Sequence, residues 1–153
     1  MKGFTLIEIM VTIGVFAILM LFITVNLVKP QVKYPIDAAV TTLAADIKEQ
    51  QLKTMLGDND GTGTPQIFGI HFDPTSYTLF RGTYSLGNSS NLVIKMPENV
   101  GITTNLASDL IFTRLSGEVN GYSATQNTIT VRSNISTEQR VVSFNKLGVL
   151  TIN

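Results

Sequence analysis

Phe4-Thr5-Leu6-Ile7-Glu8-Ile9-Met10 opens the stretch 4–28, FTLIEIMVTIGVFAILMLFITVNLV, and the reading of that stretch decides how the rest of the chain is organised. From Ile9 to Val28 there is no charged residue, and only Thr12, Thr24 and Asn26 are polar. A helix over 4–28 would be about 37 Å long at 1.5 Å rise per residue, enough to cross a hydrocarbon core of about 30 Å. One membrane span is expected. A cleaved secretory signal would have an apolar region of about 7 to 15 residues followed by small residues. This stretch instead runs into Val28-Lys29-Pro30. A core helix in a chain of 153 residues is rarely apolar on every face.

Glu8 is the discordant residue, a carboxylate just inside the apolar run, where insertion near a span centre costs about 2.5 to 3.5 kcal/mol and less near an interface. No cation lies within the following twenty residues. Cutting the chain after Gly3 would place an α-ammonium on Phe4, one helical turn from Glu8 and on the same face.

Lys and Arg number 11, as do Asp and Glu, so the formal charge is zero and no polyanionic partner is implied by the total. Cysteine is absent and His71 is the single histidine, which removes disulfides, thiolate zinc sites, Cys nucleophiles and multi-His metal sites together. Mean hydropathy is +0.25 with 14% charged residues, and the apolar excess is concentrated at the N-terminal end.

Lys2-Gly3-Phe4-Thr5-Leu6-Ile7-Glu8, behind the short leader Met1-Lys2-Gly3, resembles the class III signal of type IV pilins and type II secretion pseudopilins. The resemblance implies cleavage between Gly3 and Phe4 by a prepilin peptidase on the cytoplasmic face, with N-methylation of Phe4 by the same enzyme. It also implies that Glu8 pairs with the N-terminal ammonium of a neighbouring subunit during filament assembly. Methylation keeps the charge, so the pairing holds for a secondary or tertiary amine. Lys2 stands on one side of the span and Lys29 and Lys33 on the other, so the charge count does not set orientation. The resemblance implies a cytoplasmic N-terminus and an extracytoplasmic remainder.

Pro30 and Pro35 each remove a helical N–H and disfavour helix just before them, so a kink or loosening is expected between positions 29 and 34, with helix resuming near Pro35. Ile36, Val40, Leu43 and Ile47 recur at spacings of four, three and four, a stripe expected to face a sheet. The helix is expected to continue through Leu52, Met55 and Leu56 and to stop at Gly57 as its C-cap.

Beyond the loop Asp58-Asn59-Asp60-Gly61-Thr62-Gly63-Thr64-Pro65 the period changes from helix to strand. Strands are expected near 67–72, 77–81, 92–96, 110–114, 128–132, 140–145 and 149–152. Turn signals separate them at Asp73-Pro74, Leu86-Gly87-Asn88, Ser116-Gly117 and Lys146-Leu147-Gly148. The fold class expected is α+β and pilin-like, a long N-terminal helical spine packed on an antiparallel β domain. Its parts are a leader (1–3), a membrane-spanning assembly segment (4–29), an amphipathic continuation (30–57) and an extracytoplasmic β domain (58–153).

A second resemblance lies in Phe112-Thr113-Arg114-Leu115-Ser116-Gly117, Thr128-Ile129-Thr130-Val131 and Arg140-Val141-Val142-Ser143-Phe144 through Gly148-Val149-Leu150. It is similar to the C-terminal half of GspH/FimT-type minor pseudopilins, with a Phe and then a Gly before a strand, an Arg-led strand and a final Gly-turned hairpin. Gly69-Ile70-His71-Phe72 with Tyr77-Thr78-Leu79-Phe80 fits that family's first hairpin. No match is found between Gly82 and Ser108.

Asp58 and Asp60, with Asn59 and Gly61, offer clustered oxygen ligands for a hard cation such as Ca2+, but the acid that would close a full loop is missing, and a plain Asx/Gly loop is the expected reading. Gly61-Thr62-Gly63 lacks a following Lys-Ser or Lys-Thr and is not a phosphate cradle. His71 is read as a strand residue on the less apolar face. With no G-x-S-x-G motif and no second His, no enzyme activity and no cofactor are expected. Some FimT-like pilins bind DNA. From residue 34 onward, four Lys and four Arg face ten acids, and Arg81, Arg114, Arg132 and Arg140 are scattered, which argues against nucleic acid as a partner.

The expected function is that of a structural, minor subunit of a type II secretion pseudopilus or type IV pilus-like filament, anchored in the cytoplasmic membrane before assembly. Its expected partners are prepilin peptidase, other pilin or pseudopilin subunits, the inner-membrane assembly platform and membrane lipid. The alternatives are a surface pilus subunit for adhesion or motility and a DNA-binding minor pilin for natural transformation.

Overall fold

The structure, a computed structural model, describes residues 3, 5–26, 33–61 and 63–153, with the side chains of 21–26, 33 and 34 outside the description. The expected kink at 29–34 falls largely outside the described residues. The chain divides into two units, Met1–Val32 and Lys33–Asn153.

In the first unit, α1 (Leu6–Asn26) has the sequence LIEIMVTIGVFAILMLFITVN. Every described side chain from Leu6 to Met20 is exposed. The Thr12 hydroxyl donates back to the carbonyls of Glu8 (3.0 Å) and Ile9 (2.9 Å), which satisfies the one hydroxyl in the described apolar run.

The second unit opens with α2 (Lys33–Leu56). Pro35 lies in its first turn, where a missing N–H leaves no intrahelical bond unmade. The helix closes on Gly57, whose φ of +67° an L side chain rarely adopts. Asp58 N–H donates to Lys53 O at 2.9 Å and Gly57 N–H to Thr54 O at 3.3 Å, the paired bonds of a Schellman cap.

Eight strands follow: β1 (Phe68–Asp73), β2 (Ser76–Arg81), β3 (Leu92–Lys95), β4 (Val100–Thr104), β5 (Leu110–Ile111), β6 (Thr128–Ser133), β7 (Gln139–Phe144) and β8 (Leu150–Ile152). They form two antiparallel four-stranded sheets, ordered β3-β2-β1-β5 and β4-β6-β7-β8. The fold is thus α+β, as expected. The first hairpin pairs Phe72 with Tyr77 and Asp73 with Ser76 around Pro74, and the last pairs Phe144 with Leu150 around Gly148.

Helix α2 packs on β1 of the first sheet and on β6 and β7 of the second. Ile36, Val40, Leu43 and Ile47 are all buried, as their spacing requires, together with Ile70, Tyr77, Ile102, Ile129, Val131, Val142 and Phe144. Every residue of this core cluster lies within Lys33–Asn153, so that unit contains its own core.

Two expectations are corrected. The helix runs through Leu52, Met55 and Leu56 to Gly57, and in its last turns those three side chains are exposed while Gln50, Gln51 and Thr54 are buried. The last turns of α2 face the backbone of two loops and of the first residue of β1, whose carbonyls and amides require polar partners. Gln51 Nε2 donates to Gly117 O and Leu147 O, both at 2.8 Å, and Phe68 N–H donates to Thr54 Oγ1 at 3.0 Å. The strand expected over 110–114 ends at Ile111, because Gly117 N–H bonds Thr113 O at 3.0 Å and turns the chain back to bridge Val119 with Phe112. Strand β4 was not anticipated. Its alternation of buried Val100 and Ile102 is interrupted by Gly101, a residue that weakens strands. A Cβ there would lie 3.3 Å from Asn134 Oδ1 and 3.4 Å from Pro74 O, a close approach that accounts for the glycine.

The Tyr77 hydroxyl donates to Asp46 Oδ2 at 2.5 Å, joining β2 to α2. Burial, and then the hydrogen bond and charge of Asp46, push the phenol far above its ordinary value near 10. The unfolded chain therefore loses this proton first as pH rises. Stability contributed by Tyr77 is complete below about pH 10 and falls above it by up to about 1.4 kcal/mol per pH unit. Denaturant unfolding between pH 9 and 11 is expected to show this decline, and Tyr77→Phe is expected to lose that component of it.

Replacing Gln51 by Leu leaves two carbonyls without their donor and is expected to cost about 1 to 3 kcal/mol in the same measurement. A change below about 0.5 kcal/mol would show that water replaces the amide without loss.

Candidate functional site

The N-terminal motif and the start of α1 form one local structure. Glu8 N–H donates to Thr5 O at 3.1 Å and Ile9 N–H to the same oxygen at 3.4 Å, which places Thr5 at the helix cap. The Glu8 carboxylate reaches back, and its Oε2 accepts from the Thr5 backbone N–H and from the Thr5 hydroxyl, each at 3.3 Å. Thr5-x-x-Glu8 has the spacing of a capping box, a signal present in the sequence that sequence reasoning missed. A carboxylate in the first turn also lies favourably in the helix dipole.

Glu8 therefore has a neutral partner in Thr5, and among the described residues no cation pairs with it. Phe4, the expected cleavage and methylation residue, lies outside the described residues. Gly3 is exposed, and nothing lies within 4 Å of where a Cβ would stand. Among the described residues no helix is long and apolar enough to cross a membrane. The described side chains of α1 stop at Met20, whereas the apolar sequence continues to Val28.

The other candidates do not converge on chemistry. Asp58 Oδ1 accepts from the Asp60 amide at 2.9 Å and Asn59 Oδ1 from the Gly61 amide at 3.0 Å, which are ordinary Asx turns. The Asp60 carboxylate is engaged by Arg81 at 2.7 Å instead of joining Asp58 around a cation. Among the described residues no three His, Cys, Asp or Glu side chains cluster as metal ligands.

His71 is half-buried in β1. Its Nδ1 lies 2.7 Å from Asp109 Oδ1, its Nε2 lies 3.7 Å from Asp73 Oδ1, and its ring stacks on Tyr84 at 3.9 Å. The carboxylates sit at opposite ring nitrogens, so they share no point that a cation could occupy. The cluster ties the segments after β2 and before β5 to β1. Its partner is 38 residues away, and no local pattern announces it.

Arg140 pairs with Asp37 at 3.0 Å, as Arg81 does with Asp60, and these arginines lie on β7 and β2 in different sheets. Arg114 and Arg132 are exposed. Two of the four arginines thus spend their charge inside the domain rather than on a polyanion.

The family description "Prokaryotic N-terminal methylation motif" matches residues 1–24. No curated protein matches the chain by sequence. Among solved structures, the minor pseudopilin EpsH from the Type 2 Secretion System of Vibrio cholerae is similar, with a TM-score of 0.50 and 16% identity over 77% of this chain and 95% of that one. The chain carries a prokaryotic N-terminal methylation motif, and its fold is similar to that of a minor pseudopilin.

Replacing Thr5 by Ala removes one of the two donors to Glu8 and is expected to weaken the start of α1 by about 1 kcal/mol. In detergent micelles this would be read as faster amide exchange at Glu8 and Ile9 with exchange beyond Thr12 unchanged. Equal exchange in both proteins would overturn the cap.

Proposed function

We propose that this protein is a minor structural subunit of a type II secretion pseudopilus or related type IV pilus-like filament, held in the cytoplasmic membrane by its N-terminal helix until assembly. The observation that carries the reading is Glu8, the one acid of an otherwise uncharged helix whose described side chains are all exposed. It is supported by the methylation motif over residues 1–24 and by a fold similar to that of a minor pseudopilin.

In this reading a prepilin peptidase cuts between Gly3 and Phe4 on the cytoplasmic face and methylates the new Phe4 amine. The 21 residues of α1 would extend about 31 Å, the thickness of a hydrocarbon core. The N-terminus stays cytoplasmic and the domain from α2 onward lies outside. At the inner-membrane assembly platform, α1 leaves lipid and packs against the equivalent helices of other subunits.

Transfer between two apolar media carries little hydrophobic driving force, so polar contacts and close packing set the register. Glu8 then exchanges the neutral donors of Thr5 for the Phe4 ammonium of a neighbour. The Thr5 donors carry no charge, whereas an ammonium adds a direct charge–charge attraction to the hydrogen bond.

Glu8→Ala is expected to leave the protein processed and membrane-bound but to remove it from sheared or affinity-purified filaments. Gly3→Leu is expected to leave the three-residue leader attached, as read by the mass of the native N-terminus. Normal filament incorporation of the Glu8 variant, or a native chain that keeps Met1, would overturn the proposal.

A further inference from the structure

Two turns of the second unit meet at the C-terminal end of α2. Gln51 reaches both the 113–118 turn, through Gly117 O, and the 145–149 turn, through Leu147 O. The Val119 amide donates to Lys146 O at 2.9 Å, joining those two turns to each other. Each segment presents leucine to solvent: Leu52 and Leu56 on α2 are 55% and 82% exposed, Leu115 is 85% exposed and Leu147 is 58% exposed.

Leu115 is the least expected of them. Its φ is +66°, in the left-handed region that a bulky L residue rarely enters. The Ser116 amide bonds the Arg114 carbonyl at 2.8 Å, which makes Leu115 the centre of a tight three-residue turn. The turn is fixed by a 2.7 Å contact between the Thr113 and Ser116 hydroxyls. The side chain held in this strained position contributes little to the core, being mostly in water. Asn or Gly would suit the backbone better, so the leucine has no reason within the fold.

Basic residues accompany the leucines: Arg114 beside Leu115, Lys146 beside Leu147, and Lys48 and Lys53 on the last turns of α2. Glu49 pairs with Lys53 at 2.7 Å and Glu118 with Lys146 at 3.4 Å, while Asp58 directs Oδ1 to the Asp60 amide. Arg114 has no carboxylate partner among the described residues, nor has Lys48, whose Nζ spends one of its three donors on Gly148 O at 3.1 Å. In a domain whose acids outnumber its cations from residue 34 onward, the positive charge at this end is local.

We propose that this end of the domain docks reversibly on an anionic lipid surface, with Leu56, Leu115 and Leu147 entering the headgroup region and Arg114 and Lys48 meeting the phosphates. Protruding leucines beside cations suit a deformable bilayer, whereas a protein partner of the same size would have to supply a matching concavity for each tip. This contact is separate from α1, which belongs to the other unit, and it does not rest on the filament reading.

The segment 33–153, which contains its whole core, is incubated with vesicles of phosphatidylcholine mixed with phosphatidylglycerol, and separately with vesicles of phosphatidylcholine alone. Co-sedimentation is expected with the mixed vesicles, to weaken as salt is raised and to be far lower on the neutral ones. Arg114→Gln is expected to lower it about fivefold. The pair Leu115→Asn and Leu147→Asn is expected to lower it by about tenfold or more. Leu115→Asn alone is expected to leave the melting temperature unchanged or raised, because Asn tolerates the left-handed backbone. Binding falling while the fold holds or gains stability is the signature of a residue kept for contact. Absence of binding to the mixed vesicles would overturn the proposal and leave the face to a protein partner. Undiminished binding of the double asparagine variant would overturn it as well.

Discussion

An apolar helix with one carboxylate near its start is the constraint on which the rest depends. From Leu6 to Met20, α1 exposes every described side chain, and no water-facing stripe offsets them. Such a surface is stable only against lipid or against other apolar helices. Glu8 breaks the symmetry between those two environments. In lipid it is a liability near an interface. In the proposed filament, where neighbouring N-termini would carry ammonium groups, it would become a specific contact. The capping bonds from Thr5 matter here because they hold the acid in the helical first turn with neutral donors alone.

The domain is organised around the second helix, which changes character along its length. Ile36, Val40, Leu43 and Ile47 lie against strands of both sheets, so one apolar stripe joins two sheets into one core. Beyond Ile47 the helix outruns the sheets and meets the turns. There Gln51 and Thr54 replace the aliphatic residues, and Lys48 Nζ donates to Gly148 O at 3.1 Å. The same helix thus supplies hydrophobic burial at one end and hydrogen-bond donors and acceptors for irregular backbone at the other.

What was legible in the sequence follows from how local each signal was. The stripe on α2 and its Gly57 stop were legible because both are periodic or terminal features of one segment. Seven of the strands were legible from runs of β-branched and aromatic residues, including Ile129 and Val131 with Val142, which alternate cleanly between core and surface. Strand β4 was lost because Gly101 answers to Asn134 and the Pro74 carbonyl, neighbours that a sequence window does not contain. The burial of Gln51 and Thr54 at the end of α2 was not legible for a similar reason: the surface facing them is backbone, which selects for hydrogen bonding, and it comes from segments distant in sequence. In the N-terminal site, Gly3 and Glu8 stood out by motif, and the Thr5 cap was equally local, a four-residue pattern lying inside that same motif.

The polar end of α2 also explains how the domain tolerates leucines on its surface there. An exposed apolar side chain on a mobile loop is free to collapse back onto the nearest core, and the loop then loses any defined shape. Here the loops are not free to do so. The Gln51 amide fixes two carbonyls at once, the hydroxyls of Thr113 and Ser116 close the turn that carries Leu115, and Asn145 Oδ1 accepts from the amides of Leu147 and Val149, both at 3.0 Å. Each leucine is therefore held away from the core by hydrogen bonds that a purely apolar helix end could not have provided. Burying glutamine where the apolar stripe would have continued costs the core some hydrophobic contact, and in exchange it produces a rigid end face whose apolar tips stay in solvent.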